Sequence, residues 1–256
     1  MKLLPLAVLA LCITSSGSAA VTGTDGTEML IPVAGHTPGA RGELFVTDLT
    51  LVNLSPVDQS VEIVWLPAGG TADPRKETVL IEGYRHSTIT DVVNSTFRTE
   101  GLGAILVRAL NAGAAIDAHA RIWTNTTCPG LTGTMSMGVP AVLFDGWRSS
   151  SPAYVHGVRY NENIRANYGI VNLDPVPRQF RVIVNSAGGK VEEVVTVPAN
   201  GTLQKGVPQP VGGDLSVYFL PLGPINRWHA YAASVDNLTG SGWTIPAMQP
   251  RVDLVF

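Results

Sequence analysis

Beyond its N-terminal stretch the chain is written twice, and no other feature constrains its fold as strongly. The segment Thr47-Asp48-Leu49-Thr50-Leu51-Val52-Asn53-Leu54 returns as Ala166-Asn167-Tyr168-Gly169-Ile170-Val171-Asn172-Leu173. An Ala-Gly-Gly follows each asparagine at the same distance, as Ala68-Gly69-Gly70 and Ala187-Gly188-Gly189. A third marker stands at Ile31-Pro32-Val33, Val139-Pro140-Ala141 and Ile245-Pro246-Ala247, at intervals of about 107 residues, the length of an ordinary domain. Three markers recurring in one order at nearly one period imply duplication of a domain-sized unit.

With 256 residues the chain suits one large or two ordinary domains, and the repeat decides for two. A unit of this length buries a core without disulfides or metal. Charged residues are only 14%, against 27 glycines and 18 prolines, a composition poor in helix surface and rich in turns. A net charge of −3 with no Lys/Arg run argues against a nucleic-acid partner.

The N-terminus reads as a secretory leader over residues 1–20: Lys2, the apolar run Leu3 to Ile13, then Ser18-Ala19-Ala20 as small residues at a cleavage site. The run is too short to span a bilayer, and no later segment is long enough to do so, so no transmembrane span is expected. Cys12 suggests a lipoprotein, but Leu11 precedes it where a small residue is wanted. Removal of the leader leaves Cys128 alone, without an internal disulfide partner. An inert thiol and an intermolecular bridge both remain open for it.

Residues 21–30 form a polar approach. Short β-branched runs separated by turn signals then predict strands near 30–34, 43–53, 60–67, 76–83, 86–90, 103–110, 115–125 and 134–142. In the second unit they predict 153–160, 165–173, 178–185, 191–198, 201–206, 213–220, 227–236 and 242–249. Val61, Ile63 and Trp65 share one face of a strand, with Glu62, Val64 and Leu66 on a partly polar other face. Asn53, Asn172, Asp48 and Asn167 read as strand-end and turn chemistry. One short helix is expected at Asp91 to Phe97, with Asp91 as its cap. The linker falls at Leu143 to Ser151, with Trp147 packing into the seam between the units. The expected fold is all-β, two tandem antiparallel sandwiches at 31–142 and 143–249, with a tail at 250–256.

The Val-Asn hairpin, the Ala-Gly-Gly turn, the Ile-Pro-Val entry and the late strand Tyr231-Ala232-Ala233-Ser234-Val235-Asp236-Asn237 together resemble secreted bacterial proteins with tandem immunoglobulin-like β-sandwich repeats. The resemblance covers most of the chain after the leader. It implies immunoglobulin-like sandwiches and an exported location. It brings no catalytic residues with it, because its motifs are turn and core positions.

No nucleophile elbow, paired-cysteine metal pattern, glycine-rich phosphate loop or EF-hand loop is present. The histidines His36, His86, His119, His156 and His229 are scattered, and no cofactor or metal is expected. Aligned strands place His119 and His229 on opposite faces. The runs Asp25-Gly26-Thr27-Glu28 and Asn161-Glu162-Asn163 offer oxygen ligands of the kind calcium takes, in segments equally suited to solvated loops. Trp65 and Trp123 sit among alternating apolar residues and read as core. Trp228 and Trp243, with Tyr231, lie near strand starts and are the candidate carbohydrate platform. Asp145, His156 and Asp117 are too weakly motivated to form a catalytic site. The alternating end Arg251 to Phe256 resembles the last strand of an outer-membrane barrel, but 7% aromatics cannot make its girdles.

The expectation is a non-catalytic exported protein with a structural, adhesion or binding role at the cell envelope or outside the cell. Its partner is an unknown protein or polysaccharide at the cell surface. Carbohydrate binding through Trp228, Trp243 and Tyr231, and a hydrolase at the domain interface, are the alternatives.

Overall fold

Turn-forming clusters cut the chain into short β-branched runs, and in the computed structural model these runs pair into antiparallel sheets. The structure describes residues 28–39, 42–125, 133–144, 147, 149–208, 213–237 and 239–250. The leader, most of the polar approach with Asp25-Gly26-Thr27, the segment holding Cys128, Asp145 and the end from Arg251 onward lie outside the described residues.

The first half contains β1 (Glu28–Pro38), β2 (Leu44–Asn53), β3 (Gln59–Pro67), β4 (Lys76–Ile81), β5 (His86–Ile89), α1 (Val92–Ser95), β6 (Gly101–Ala109), β7 (Ile116–Asn125), β8 (Thr134–Pro140) and β9 (Val142–Leu143). The second contains β10 (Ala153–Tyr160), β11 (Ile164–Asn172), β12 (Arg178–Ser186), β13 (Gly189–Val197), β14 (Gly201–Gly206), β15 (Gly213–Pro221), β16 (Trp228–Asp236) and β17 (Gly242–Pro246).

The first half pairs as β4-β3-β6-β1 in one layer and β5-β2-β7-β8 in the other. A bulge between Ile31 and Ala34 shifts the register of β1 on β6, their pairing continues to His36↔Gly101, and the last residues of β1 then pair with β2, as Thr37↔Phe45. The second half pairs as β13-β12-β15-β10 and β14-β11-β16-β17. Counted along each half, the strand order is the same. Inward residues of both layers fill the sandwiches: Leu49, Leu51, Ile63, Trp65, Ile105 and Val107 in the first, Tyr168, Ile170, Phe180, Val182, Val217 and Phe219 in the second. Val142 and Leu143 pair with Leu30 and Met29 of β1, so the first half extends one residue past 142.

Local chemistry explains the turns. Asn53 is buried, and its Nδ2 donates to the carbonyls of Val57, Ile81 and Glu82 at 2.8, 3.1 and 3.1 Å. Its Oδ1 accepts the Ser55 N–H at 2.9 Å. Asn172 repeats this in the second half, donating to Val176, Val197 and Pro198 and accepting from Asp174 N. These two asparagines are the turn residues expected of them. Asp48 is not: it lies mid-strand, where its carboxylate accepts the Asp91 N–H at 3.0 Å and the Trp123 Nε1–H at 2.8 Å. Asp91 itself has a left-handed φ of 47° and makes no side-chain cap to α1. Its carboxylate is turned toward His36 instead.

Two expectations about faces are corrected. Trp65 is core, but Trp123 lies on the outer face of its sheet beside Asp48, with the Arg121 guanidinium over its ring. Asn53 pairs with Ile116, and Asn172 with Trp228. In this register His119 corresponds to Tyr231 and Asp117 to His229. His119 and His229 therefore share the outer face of equivalent strands rather than opposing faces.

Candidate functional site

The half-polar face of β3 is where the two sandwiches meet. Val64 and Leu66, with Leu30, Ala104 and Leu106 on neighbouring strands, make an aliphatic outer face on the first sandwich. Val171 of β11 and the flanking Leu173 pack onto it from the outer face of the second. The two backbones approach closely enough in the seam that glycine is required there. A Cβ at Gly201 would lie 2.6 Å from Gly70 Cα and 2.7 Å from the Pro67 carbonyl oxygen. The Ala-Gly-Gly turn of the first half thereby docks against the second, and Thr71 N donates to the Ala199 carbonyl at 3.0 Å.

Tyr231 belongs to this seam. Its ring lies across β11, where a Cβ at Gly169 would come within 2.2 Å of it, and its hydroxyl donates to Gln204 Oε1 at 3.0 Å. Burial pushes its phenol well above the usual tyrosine range. The corresponding pair in the first half is Thr50 opposite His119, on a face that looks to solvent. One sheet face is thus polar in the first sandwich and adapted for packing in the second.

The carbohydrate platform expected from Trp228, Trp243 and Tyr231 is not formed. Trp228 is 0% exposed and Tyr231 1%, while Trp243 is 40% exposed. Trp228 fills the second core against Phe180 at 5.0 Å and Trp147 at 5.3 Å. Its Nε1–H donates to the Ser149 carbonyl at 2.7 Å. Its place at a strand start does not expose it, because the linker folds over that end. Trp147 of the linker also stacks on His229 at 4.2 Å, and His229 meets Phe144 edge-on at 6.4 Å. Burial pulls the His229 imidazole down to about 4.

Two clefts open along the seam. One, of about 190 Å³, has Val33, Phe45 and Met137 on the wall from the first half and Arg165, Asn167 and Gln204 on the wall from the second. The other, of about 220 Å³, is lined in part by Lys76, Arg108 and Arg227. Glu28 bridges the last two, at 2.9 Å to Arg108 and 2.5 Å to Arg227, and Glu62 adds a 2.9 Å contact to Arg108.

His36 and Asp91 form a pair that sequence reasoning missed, with Nδ1 at 2.9 and 3.0 Å from the two carboxylate oxygens. They are far apart in the chain and no local motif marks them. Asn161 spends its Oδ1 on the N–H groups of Asn163 and Ile164, which makes that run a turn. Asp117 accepts the neighbouring Ala118 N–H, and His156 meets Ser216 Oγ at 2.6 Å. Among the described residues no three His, Cys, Asp or Glu side chains converge as a metal site, and no helix is long and apolar enough to cross a membrane. The chain matches no protein-family model and no curated protein sequence.

Proposed function

We propose that this is an exported, non-catalytic protein with a binding or structural role at the cell envelope or outside the cell, built by duplication of an immunoglobulin-like sandwich. The observation that carries the reading is the seam. An aliphatic face of Leu30, Val64, Leu66 and Leu106 is closed by Val171, which ties two equal-order sandwiches into one body. Inter-domain contacts within a chain are ordinarily more polar and permit relative motion. An apolar contact reinforced by the Glu28–Arg227 ion pair restricts that motion and holds the outward surfaces of both halves in fixed register. Rigid presentation of surfaces suits binding or scaffolding, where preorganisation lowers the cost of association. The leader-like N-terminus supports export.

The test is to express the full chain with its N-terminal segment in a bacterium, fractionate the cells and sequence the N-terminus of the exported product. Purified product is then sedimented with isolated cell envelope. Cleavage after Ala19 or Ala20 with retention on envelope is the expected result. An uncleaved cytoplasmic product overturns the export reading, and absence from the envelope pellet overturns an envelope role.

A further inference from the structure

The seam cleft of about 190 Å³ lies at a corner where the two halves, alike in strand order, carry different residues. Counted from Asn53 and Asn172, Asp48 corresponds to Asn167. On the neighbouring strand Arg121 corresponds to Ala233 and Trp123 to Val235. In the first half this corner is closed from within. The Trp123 Nε1–H donates to Asp48 at 2.8 Å, and the Arg121 guanidinium lies over the indole at 5.7 Å. In the second half both large side chains are replaced by small ones. Asn167, half-buried, stands in the place of the aspartate, and its amide has no hydrogen-bond partner among the described residues.

Close packing of the sandwiches would explain the small residues if it filled the space they leave. It does not: the cleft stays open between Asn167 and Val235 on one side and Val33, Phe45, Leu102, Ile122 and Met137 on the other. An apolar cavity of about 150 Å³ takes a benzene ring, so this one has room for a ring with a short polar arm. The polar groups also have a direction. Tyr231 O–H donates to Gln204 Oε1 at 3.0 Å, which orients that amide and leaves its Nε2 to donate. The Asn167 amide supplies a second pair of N–H donors. Arg165 is held by Asn237 Oδ1 at 3.0 Å. On the facing side a Cβ at Gly39 would lie 2.7 Å from Glu43 Oε2. These opposite charges offset each other at the rim, so the cleft selects by ring and by acceptor oxygen rather than by net charge.

We propose that this cleft binds a small aromatic molecule carrying a carbonyl-type oxygen. The ring takes the place that the Trp123 indole fills in the first half, against Phe45 and the Met137 thioether, two groups that favour aromatic neighbours. The oxygen accepts from the amides of Asn167 and Gln204. Apolar walls with a few oriented polar groups, set between domains, are the usual make of a small-molecule site. The inference rests on the binding reading above and names a site and a ligand class for it.

The experiment is saturation-transfer NMR on the full chain with phenylacetamide, indole-3-acetamide and phenylacetate, followed by calorimetric titration. Acetamide, without the ring, and ethylbenzene, without the oxygen, are the comparison probes. Val235→Trp and Asn167→Ala are measured beside the wild type. The double variant Asn167→Asp with Val235→Trp rebuilds the pair that closes the first half. His156→Ala, on the other sheet of the second sandwich, is the control, and thermal melts confirm that each variant folds. Should Val235→Trp disturb the seam, Asn167→Ala, which removes only a half-buried amide, carries the test. Binding of at least one probe with both ring and oxygen is expected, weakened about tenfold or more by either single change. It should be lost in the double variant and unchanged by His156→Ala. Binding that ignores the cleft changes, or acetamide binding as tightly as phenylacetamide, overturns the proposal. Failure of every probe while the protein still sediments with cell envelope removes the cleft and leaves the broader binding reading in place.

Discussion

His229 shows how one residue's chemistry is set by its neighbours. The imidazole is 2% exposed, stacked under Trp147, and burial lowers it from 6.5 to about 4. In the unfolded chain it takes a proton as pH falls through 6.5, while the folded chain resists until about 4. The unfolded state binds more protons across that window, so stability falls as pH drops from 6.5 toward 4. The full shift corresponds to about 3 kcal/mol. His229→Phe keeps a ring under Trp147 and removes the proton. Urea unfolding at pH 7 and pH 4.5 should show the wild type losing about 2 kcal/mol more than the variant between the two. Equal losses would mean that His229 protonates in the folded protein without penalty. Trp228 makes a related point. It reads as a surface ring from its strand-start position, but the linker closes over it, and no local pattern reports where a linker goes.

At the level of the element, the strands follow their sequence closely. Runs expected near 60–67 and 178–185 are β3 and β12, because alternation of Val61, Ile63 and Trp65, or of Phe180, Val182 and Val184, fits one buried face. The hairpins hold because one asparagine in each half ties the β2–β3 or β11–β12 turn to the end of the next strand. Three carbonyls depend on each Nδ2, and both asparagines are buried. Asn53→Ala and Asn172→Ala should each cost about 2–3 kcal/mol, since removing a buried donor strands its acceptors. Denaturant melts should return similar losses for the two sites. A loss confined to one would show that the networks are alike in geometry but not in energy. The short helix shows where local logic stops. Asp91 precedes it as a cap should, yet the His36 side chain, brought by β1, takes its carboxylate.

At the scale of the whole molecule, the seam makes the two sandwiches one body. The backbones approach closely at Gly201, where a side chain would meet Gly70 and Pro67. Gly201→Val should wedge the halves apart without touching either core. By calorimetry the wild type is expected to unfold in one transition and the variant in two, because the shared apolar surface that couples the halves is lost. A single transition in the variant, at the wild-type temperature, would show that the halves do not depend on the seam.

The strand set, the β class, the turn asparagines and the paired markers were determined by sequence alone, because alternation and turn chemistry act over a few residues and carry their own period. Which outer faces are covered was decided only by tertiary structure. Val64 and Leu66 read as the half-polar side of a strand until the second sandwich closes over them. Tyr231 reads as a surface ring until Gly169 makes room for it in the seam. Val235 carries no motif, and its meaning comes from standing where the first half has Trp123. A side chain's direction is local, whereas what it meets depends on residues distant in the chain, and one strand's pattern holds no record of them.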